Sequence, residues 1–306
     1  MKINNSFKPE INNLKQIYSI NAHDSYIKQI SIFPSGNLIS VSNDYSIKIF
    51  NDKFEILQII KNAHDDIIYD VDIKDEYNFI TCSTYIIKIW FKKEIKVTKY
   101  ILKQVINNAH YNIISKIIFN SNGNIISCSY DKSVKIWEEN NINKYQCITI
   151  LKHISWVYSI LILEDLNILI SSGSNGTKFW NINNFEFISF IENAFCYNNN
   201  SLKRIDKERI IVGGCDGLIN IISLSKKIII KEIINEFWCH SICSIQNKNI
   251  FLIGGNGNDI KIYRNDNYEC IQTIEYAHEG HIYGIILLKN GTIASFFKEV
   301  IKIWSF

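Results

Sequence analysis

Residues 108–137 read NAHYNIISKIIFNSNGNIISCSYDKSVKIW, and this stretch decides the fold. It contains three short runs rich in β-forming residues, at 113–119, 124–129 and 133–137, separated by turns that carry Asn, Gly and Asp. Runs of this kind between such turn residues are typical of antiparallel strands joined by hairpins. The stretch therefore predicts three neighbouring strands of one small sheet.

The same unit recurs along nearly the whole chain. Each copy begins with Asn-Ala-His or a related triplet and ends about 27 residues later with a triplet that usually reads Lys-Ile-aromatic. The last residue of this second triplet falls at Phe50, Trp90, Trp137, Trp180, Ile222, Tyr263 and Trp304. Because these positions are 40 to 47 residues apart, they match the repeat length of a four-stranded propeller blade, about 40–45 residues. The sequence thus predicts an all-β fold, a β-propeller of seven blades.

A fourth strand and the closure of the ring are also visible. An alternating polar and apolar run precedes most copies of Asn-Ala-His, as at 145–150, which indicates an outermost strand with one face in water. Only two residues follow Trp304, whereas residues 14–20 supply an additional outermost strand before the first copy. We expect these two segments to pair in one sheet, which covers two sheet edges.

The division of the last blade between the two termini makes the chain resemble WD40-repeat propellers over residues 14–306, with residues 1–13 as a flexible tail. The resemblance implies a buried hydrogen-bond chain of His, Ser, Asp and Trp inside a blade. The third blade has the complete set, which is His110, Ser127, Asp131 and Trp137. In the first blade three members are present, which are His23, Ser40 and Asp44, and Phe50 replaces the tryptophan.

A His-Ser-Asp set is also the composition of a hydrolase triad. Here the set recurs at blade spacing, and it is expected to lie inside the sheet, away from any substrate. We therefore interpret it as a structural cross-tie and expect a protein that is not an enzyme and has no cofactor. The one Cys/His cluster, residues 239–243, lacks the second ligand pair of a zinc site.

Composition limits the remaining classes of function. The net charge of +3 is too small to indicate nucleic-acid binding, and no apolar run is long enough for a membrane span. The first residues, MKINNSFKPE, lack the apolar region of a signal peptide. We expect an intracellular protein, cytoplasmic or nuclear, whose eight cysteines are free thiols.

The resemblance also implies which residues reach the top face around the central pore. They are the residues that lead into each innermost strand and those before the turn aspartate. The apolar, aromatic and histidine members are Tyr26, Ile67, Tyr111, Ile113, Tyr130, Ile154, Trp156, Trp238, His240 and His281. Acidic members are Asp24, Asp65 and Glu279, and Asp66 stands beside Asp65.

This face is unusually apolar, and aromatic residues are enriched among binding hot spots. We expect a monomeric propeller that acts as a scaffold or adaptor within a larger complex. Its partner is expected to be a protein or peptide with an apolar anchor and neighbouring basic residues. Two alternatives stay open: recognition of ubiquitin or a modified peptide tail by the top face, and an enzyme or metal site at the propeller mouth near His240 and His281.

Overall fold

The predicted seven-bladed, all-β propeller is confirmed. The computed structural model describes residues 13–94, 99–196, 198 and 201–306. The expected tail, residues 1–13, lies outside the described residues except for Asn13. Strands of the described part form seven antiparallel sheets of four strands each.

Blades one to six take their strands in chain order, from the axis outward. Blade one contains β2 (Ile27–Ile32), β3 (Leu38–Ser42), β4 (Ile47–Phe50) and β5 (Ile56–Ile60). Blade two contains β6 (Asp70–Ile73), β7 (Asn78–Cys82), β8 (Ile87–Phe91) and β9 (Ile101–Ile106). Blade three contains β10 (Ile114–Phe119), β11 (Ile125–Ser129), β12 (Ser133–Glu139) and β13 (Tyr145–Lys152). Blade four contains β14 (Val157–Leu163), β15 (Ile168–Gly173), β16 (Gly176–Asn181) and β17 (Phe187–Glu192). Blade five contains β18 (Leu202–Arg204), β19 (Arg209–Gly213), β20 (Leu218–Ser223) and β21 (Ile228–Ile234). Blade six contains β22 (Cys239–Ile245), β23 (Ile250–Gly255), β24 (Ile260–Arg264) and β25 (Cys270–Ile274).

Blade seven is shared between the two ends of the chain. Its strands are β26 (Gly284–Leu287), β27 (Ile293–Phe297), β28 (Val300–Ser305) and β1 (Lys15–Asn21). β1 pairs with β28 in antiparallel register, with Ser19 opposite Lys302. The innermost strands contact one another in sequence, and β26 contacts β2, so the ring is closed.

The core lies between the blades. Each of the seven hydrophobic clusters found among the described residues joins two consecutive blades. Between blades one and two, for example, the ring of Phe33 stacks on Tyr100 at 5.3 Å between centroids, and Phe79 meets Tyr100 edge-on at 5.0 Å. Burial of one such Phe contributes about 1.5–3 kcal/mol. Neighbouring blades are therefore held together mainly by apolar packing.

Glutamines on the outermost strands add a polar tie between neighbouring blades. Gln58 on β5 receives the backbone N–H of Tyr100 at 2.8 Å and donates to its carbonyl oxygen at 3.0 Å. Gln104 makes the same pair of bonds with Tyr145. Gln272 does so with Leu14, at 3.0 and 3.2 Å, and thereby fixes the segment that leads into the closing strand β1.

Candidate partner-binding face

The third blade contains a continuous chain of four hydrogen-bonded side chains. The indole N–H of Trp137 donates to Ser127 Oγ at 2.9 Å, and Ser127 Oγ lies 2.7 Å from His110 Nε2. His110 Nδ1 lies 2.8 Å from Asp131 Oδ2. Because an indole only donates and a carboxylate only accepts, the proton of His110 is on Nδ1 and Ser127 donates to Nε2.

Burial and hydrogen bonding together set the charge states of His110 and Asp131. Burial lowers the pKa of His110 despite the neighbouring carboxylate. For Asp131, burial alone would raise the pKa, but the hydrogen bonds from His110 and Ser133 outweigh it and hold the pKa well below its usual range. A neutral histidine thus donates to a charged aspartate, which satisfies both groups in the interior.

The other histidine-containing blades keep parts of the same chain. In the first blade His23 contacts Asp44 at 2.8 Å and Ser40 at 2.7 Å. His64, His153 and His278 each contact a Thr or Ser hydroxyl that also receives a tryptophan N–H. Burial lowers the pKa of these three histidines to about 3, so they are neutral near pH 7.

The hydroxyl of Ser127 is not accessible to a substrate. Ser127 is fully buried, as is Ser40 in the first blade. Each hydroxyl is also engaged by its histidine. A nucleophile must reach the reacting carbon, and neither serine is placed to do so.

One end of the ring carries both sets of loops from which the site residues were predicted. In blades one, three, four and six the segment that leads into the innermost strand is hydrogen-bonded to the hairpin between the second and third strands of the same blade. The backbone N–H of Asn43 donates to Tyr26 O at 2.9 Å, and that of Tyr130 donates to Ile113 O at 3.0 Å. We call this end the top face.

Each predicted residue of the top face has exposed surface. Tyr111 is 85% exposed, Ile154 74% and Trp156 47%. Tyr26, Trp238, His281, Asp24 and Asp65 are also exposed, whereas Ile67, Ile113, Tyr130 and His240 are half-buried.

Blades three and four share a cluster of three aromatic rings. Tyr130 stacks on Trp156 with 5.3 Å between centroids and 11° between planes. Tyr158, which the sequence interpretation missed, meets Tyr130 edge-on at 5.0 Å. Tyr111 stands apart from these stacked rings, and its own ring lies 5.3 Å from the Lys135 ammonium. We call Tyr130, Trp156 and Tyr158 the blade 3–4 cluster.

A second aromatic group surrounds the pore at blades six, seven and one. His240 stacks on His281 at 5.8 Å, and Tyr283 lies 5.8 Å from His240. Tyr26 meets Tyr283 edge-on at 6.1 Å and also contacts Phe297. Tyr283 was missed as well, although it and Tyr158 share one sequence signal. Each stands two residues after the predicted top-face residue of its blade.

Two segments of the chain, residues 14–51 and 102–138, match the family model described as WD domain, G-beta repeat. The two matches and the ring of seven four-stranded blades support a WD40-repeat family for this chain. Each matched segment begins at the outermost strand of one blade and ends at or just after the third strand of the next. The WD40 repeat is therefore offset by one strand from the structural blade, and this offset leaves β1 to complete blade seven.

No curated protein matches the sequence of this WD40 propeller. Within the described ranges, no helix has the length and apolarity needed to cross a membrane.

An acidic arc borders the aromatic surface of this WD40 propeller. Asp24, Asp65, Asp66 and Glu279 are exposed on blades one, two and seven. In the part of the chain that the structure describes, none of the four forms an ion pair. Their charges are available to a basic ligand, at the modest strength of exposed pairs.

The histidine pair at the pore does not form a metal cage with its described neighbours. His240 Nδ1 lies 3.2 Å from Asn198 Nδ2. Burial, and next the charge of His281, lowers the pKa of His240 to about 4. Among residues 13–94, 99–196, 198 and 201–306, no group of three or more His, Cys, Asp or Glu side chains is arranged to hold a metal ion.

Proposed function

We propose that this WD40 propeller is a non-catalytic intracellular scaffold that binds a protein or peptide segment on its top face. The observation that carries the proposal is the blade 3–4 cluster, whose Trp156 is stacked and yet 47% exposed. A preformed aromatic surface loses little side-chain entropy on binding, which is why Trp and Tyr dominate binding hot spots.

The surroundings of the cluster define the ligand. Ile154 is exposed two residues before Trp156, so an apolar anchor side chain can contact both. The acidic arc on blades one, two and seven favours Lys or Arg elsewhere in the same segment. The partner we propose is therefore a segment with one large apolar anchor and flanking basic residues.

Recognition of a methylated lysine is less well supported. The rings that could form a cage at the pore already face a cation of the protein itself. Lys28 Nζ lies 5.9 Å from the ring centre of Tyr69 and 5.7 Å from that of Tyr283. A second cation at the same rings would be repelled by Lys28.

The test uses a matched pair of isoleucines. Ile154 on the top face is 74% exposed, and Ile142 is 70% exposed in the hairpin between β12 and β13, at the opposite end of blade three. Random peptides are selected by display on the immobilised wild-type propeller, and their affinities are measured for Ile154→Asp and Ile142→Asp. Loss of an isoleucine contact weakens binding by about tenfold or more.

We expect selected peptides with an apolar anchor and basic neighbours, and a loss of affinity in Ile154→Asp alone. Trp156→Ala should weaken the same peptides. Peptides that bind both aspartate variants equally, or an acidic consensus, would place the binding surface elsewhere and refute the proposal.

A further inference from the structure

The axis of the propeller contains a cavity of about 280 Å³. This volume is just below the range of about 300–1,000 Å³ that is usual for pockets of drug-sized ligands, so an occupant must be small. The innermost strands of six blades line it. Aliphatic side chains, among them Ile32, Ile118, Ile160, Ile162 and Ile286, share its walls with polar ones such as Gln29 and Ser31.

Two lysines from different blades face this cavity, Lys116 on β10 and Lys203 on β18. Lys116 is already paired, since its Nζ lies 3.3 Å from Asp70 Oδ1. Asp70 also accepts from Gln29 Nε2 at 2.9 Å and from the backbone N–H of Ile117 at 2.8 Å. The charge of Lys116 is therefore balanced inside the protein.

Among the residues that the structure describes, Lys203 has no such partner. No hydrogen bond or ion pair to its ammonium occurs within the described part of the chain. Burial, with a smaller effect of Lys116, lowers the pKa of Lys203 to about 8. A charge without a partner in so narrow a channel is unfavourable, and an anion in the cavity would reduce that cost.

The nearby carboxyl groups limit the charge of such an anion. Asp72 lines the same cavity and accepts the backbone N–H of Phe119 at 2.7 Å. With Asp70 behind Lys116, a dianion would meet two carboxyl groups of the protein. A singly charged head group fits better, and the isoleucine walls suit a short aliphatic body.

We propose that the central channel binds a small monocarboxylate, whose head group pairs with Lys203 and whose aliphatic body packs on the isoleucines. This site is separate from the peptide surface of the top face. It depends neither on the blade 3–4 cluster nor on the acidic arc.

The experiment uses isovalerate as the probe and the whole chain in low-salt buffer, followed by saturation-transfer NMR and calorimetry. Isovaleramide has the same shape without the charge. A charge-assisted hydrogen bond is lost in the amide and in Lys203→Met, so we expect about 10- to 100-fold weaker binding in both cases. The matched control is Lys207→Met, which removes an exposed lysine four residues away and should bind isovalerate as the wild type does.

Folding is checked for each variant by circular dichroism. Methionine is apolar and of similar length, so Lys203→Met should melt no lower than the wild type; if it does not fold, Lys203→Gln replaces it. Three results would each overturn the proposal. The Lys203 variant could bind isovalerate as tightly as the wild type does, or the wild type could bind isovaleramide as tightly as isovalerate. The third is that isovalerate does not bind at millimolar concentration. Tighter binding of inorganic phosphate than of isovalerate would overturn the assignment of a carboxylate.

Discussion

Replacing Asp131 by alanine removes the carboxylate at the end of the hydrogen-bonded chain of blade three. Asp131 Oδ2 receives His110 Nδ1 at 2.8 Å, and Oδ1 receives the hydroxyl of Ser133 at 2.5 Å. Its oxygens also accept the backbone N–H groups of Ser133 at 3.0 Å and Tyr111 at 3.1 Å. In Asp131→Ala the N–H at Nδ1 of the buried His110 loses its carboxylate acceptor and keeps only the longer contact with Ser133 Oγ at 3.3 Å.

The magnitude follows from these contacts. A hydrogen bond to a charged group contributes about 1.5–3 kcal/mol, and Asp131→Ala breaks two that involve side chains. We therefore expect the free energy of unfolding to fall by about 3 kcal/mol or somewhat more. For a chain of this length that corresponds to a melting temperature lower by about 5 °C.

The measurement is urea denaturation followed by tryptophan fluorescence, with thermal melting as a second readout. Asp216 provides the control, because it stands in the corresponding turn of blade five and its side chain accepts the backbone N–H of Leu218 at 3.0 Å. Asp216→Ala should cost less than about 1 kcal/mol, since exposed positions tolerate substitution. If the two variants lose the same stability, the cross-tie of blade three does not hold the fold as we infer.

Three further results are expected. His64, His153 and His278 have pKa values of about 3 in the folded protein, so on acidification these histidines are protonated first in the unfolded chain. The free energy of unfolding should therefore fall as the pH drops below about 6.5, by up to about 1.4 kcal/mol per pH unit for each histidine. Denaturation curves that coincide at pH 7 and pH 5 would contradict this. Leu14→Ala should lower the free energy of unfolding by about 2 kcal/mol because Leu14 is buried just before the closing strand. Ile17→Ala removes an exposed side chain of β1 and should lower it by less than about 0.5 kcal/mol. Chemical denaturation measures both values, and equal losses would argue that this segment does not pack as described. Brief alkylation of the folded protein should modify the exposed Cys147 and Cys270, as detected by mass spectrometry. It should spare Cys82 and Cys128, because both thiols are buried and burial raises their pKa. Modification of Cys82 or Cys128 in the folded protein would contradict their place in the core.

Much of the top face follows from repeat position, but the contacts across it do not. The exposure of Tyr111 and Ile154 agrees with their place before an innermost strand. Only the structure shows that the Tyr111 ring lies beside the Lys135 ammonium and not in the blade 3–4 cluster. Tyr158 was missed because it lies within the innermost strand β14, whereas the sequence analysis considered only residues that lead into such strands or precede the turn aspartate.

The sequence by itself determined the number of blades, their closure by β1 and the members of the hydrogen-bond chain in blade three. Those features depend on local signals, namely turn residues, β-forming runs and a fixed spacing, which act within one repeat. Only the tertiary structure decided which side chains of different blades meet at the axis. The pairing of Asp70 with Lys116, and the position of Lys203 at the same cavity, arise because closing the ring brings together strands that are far apart in the chain.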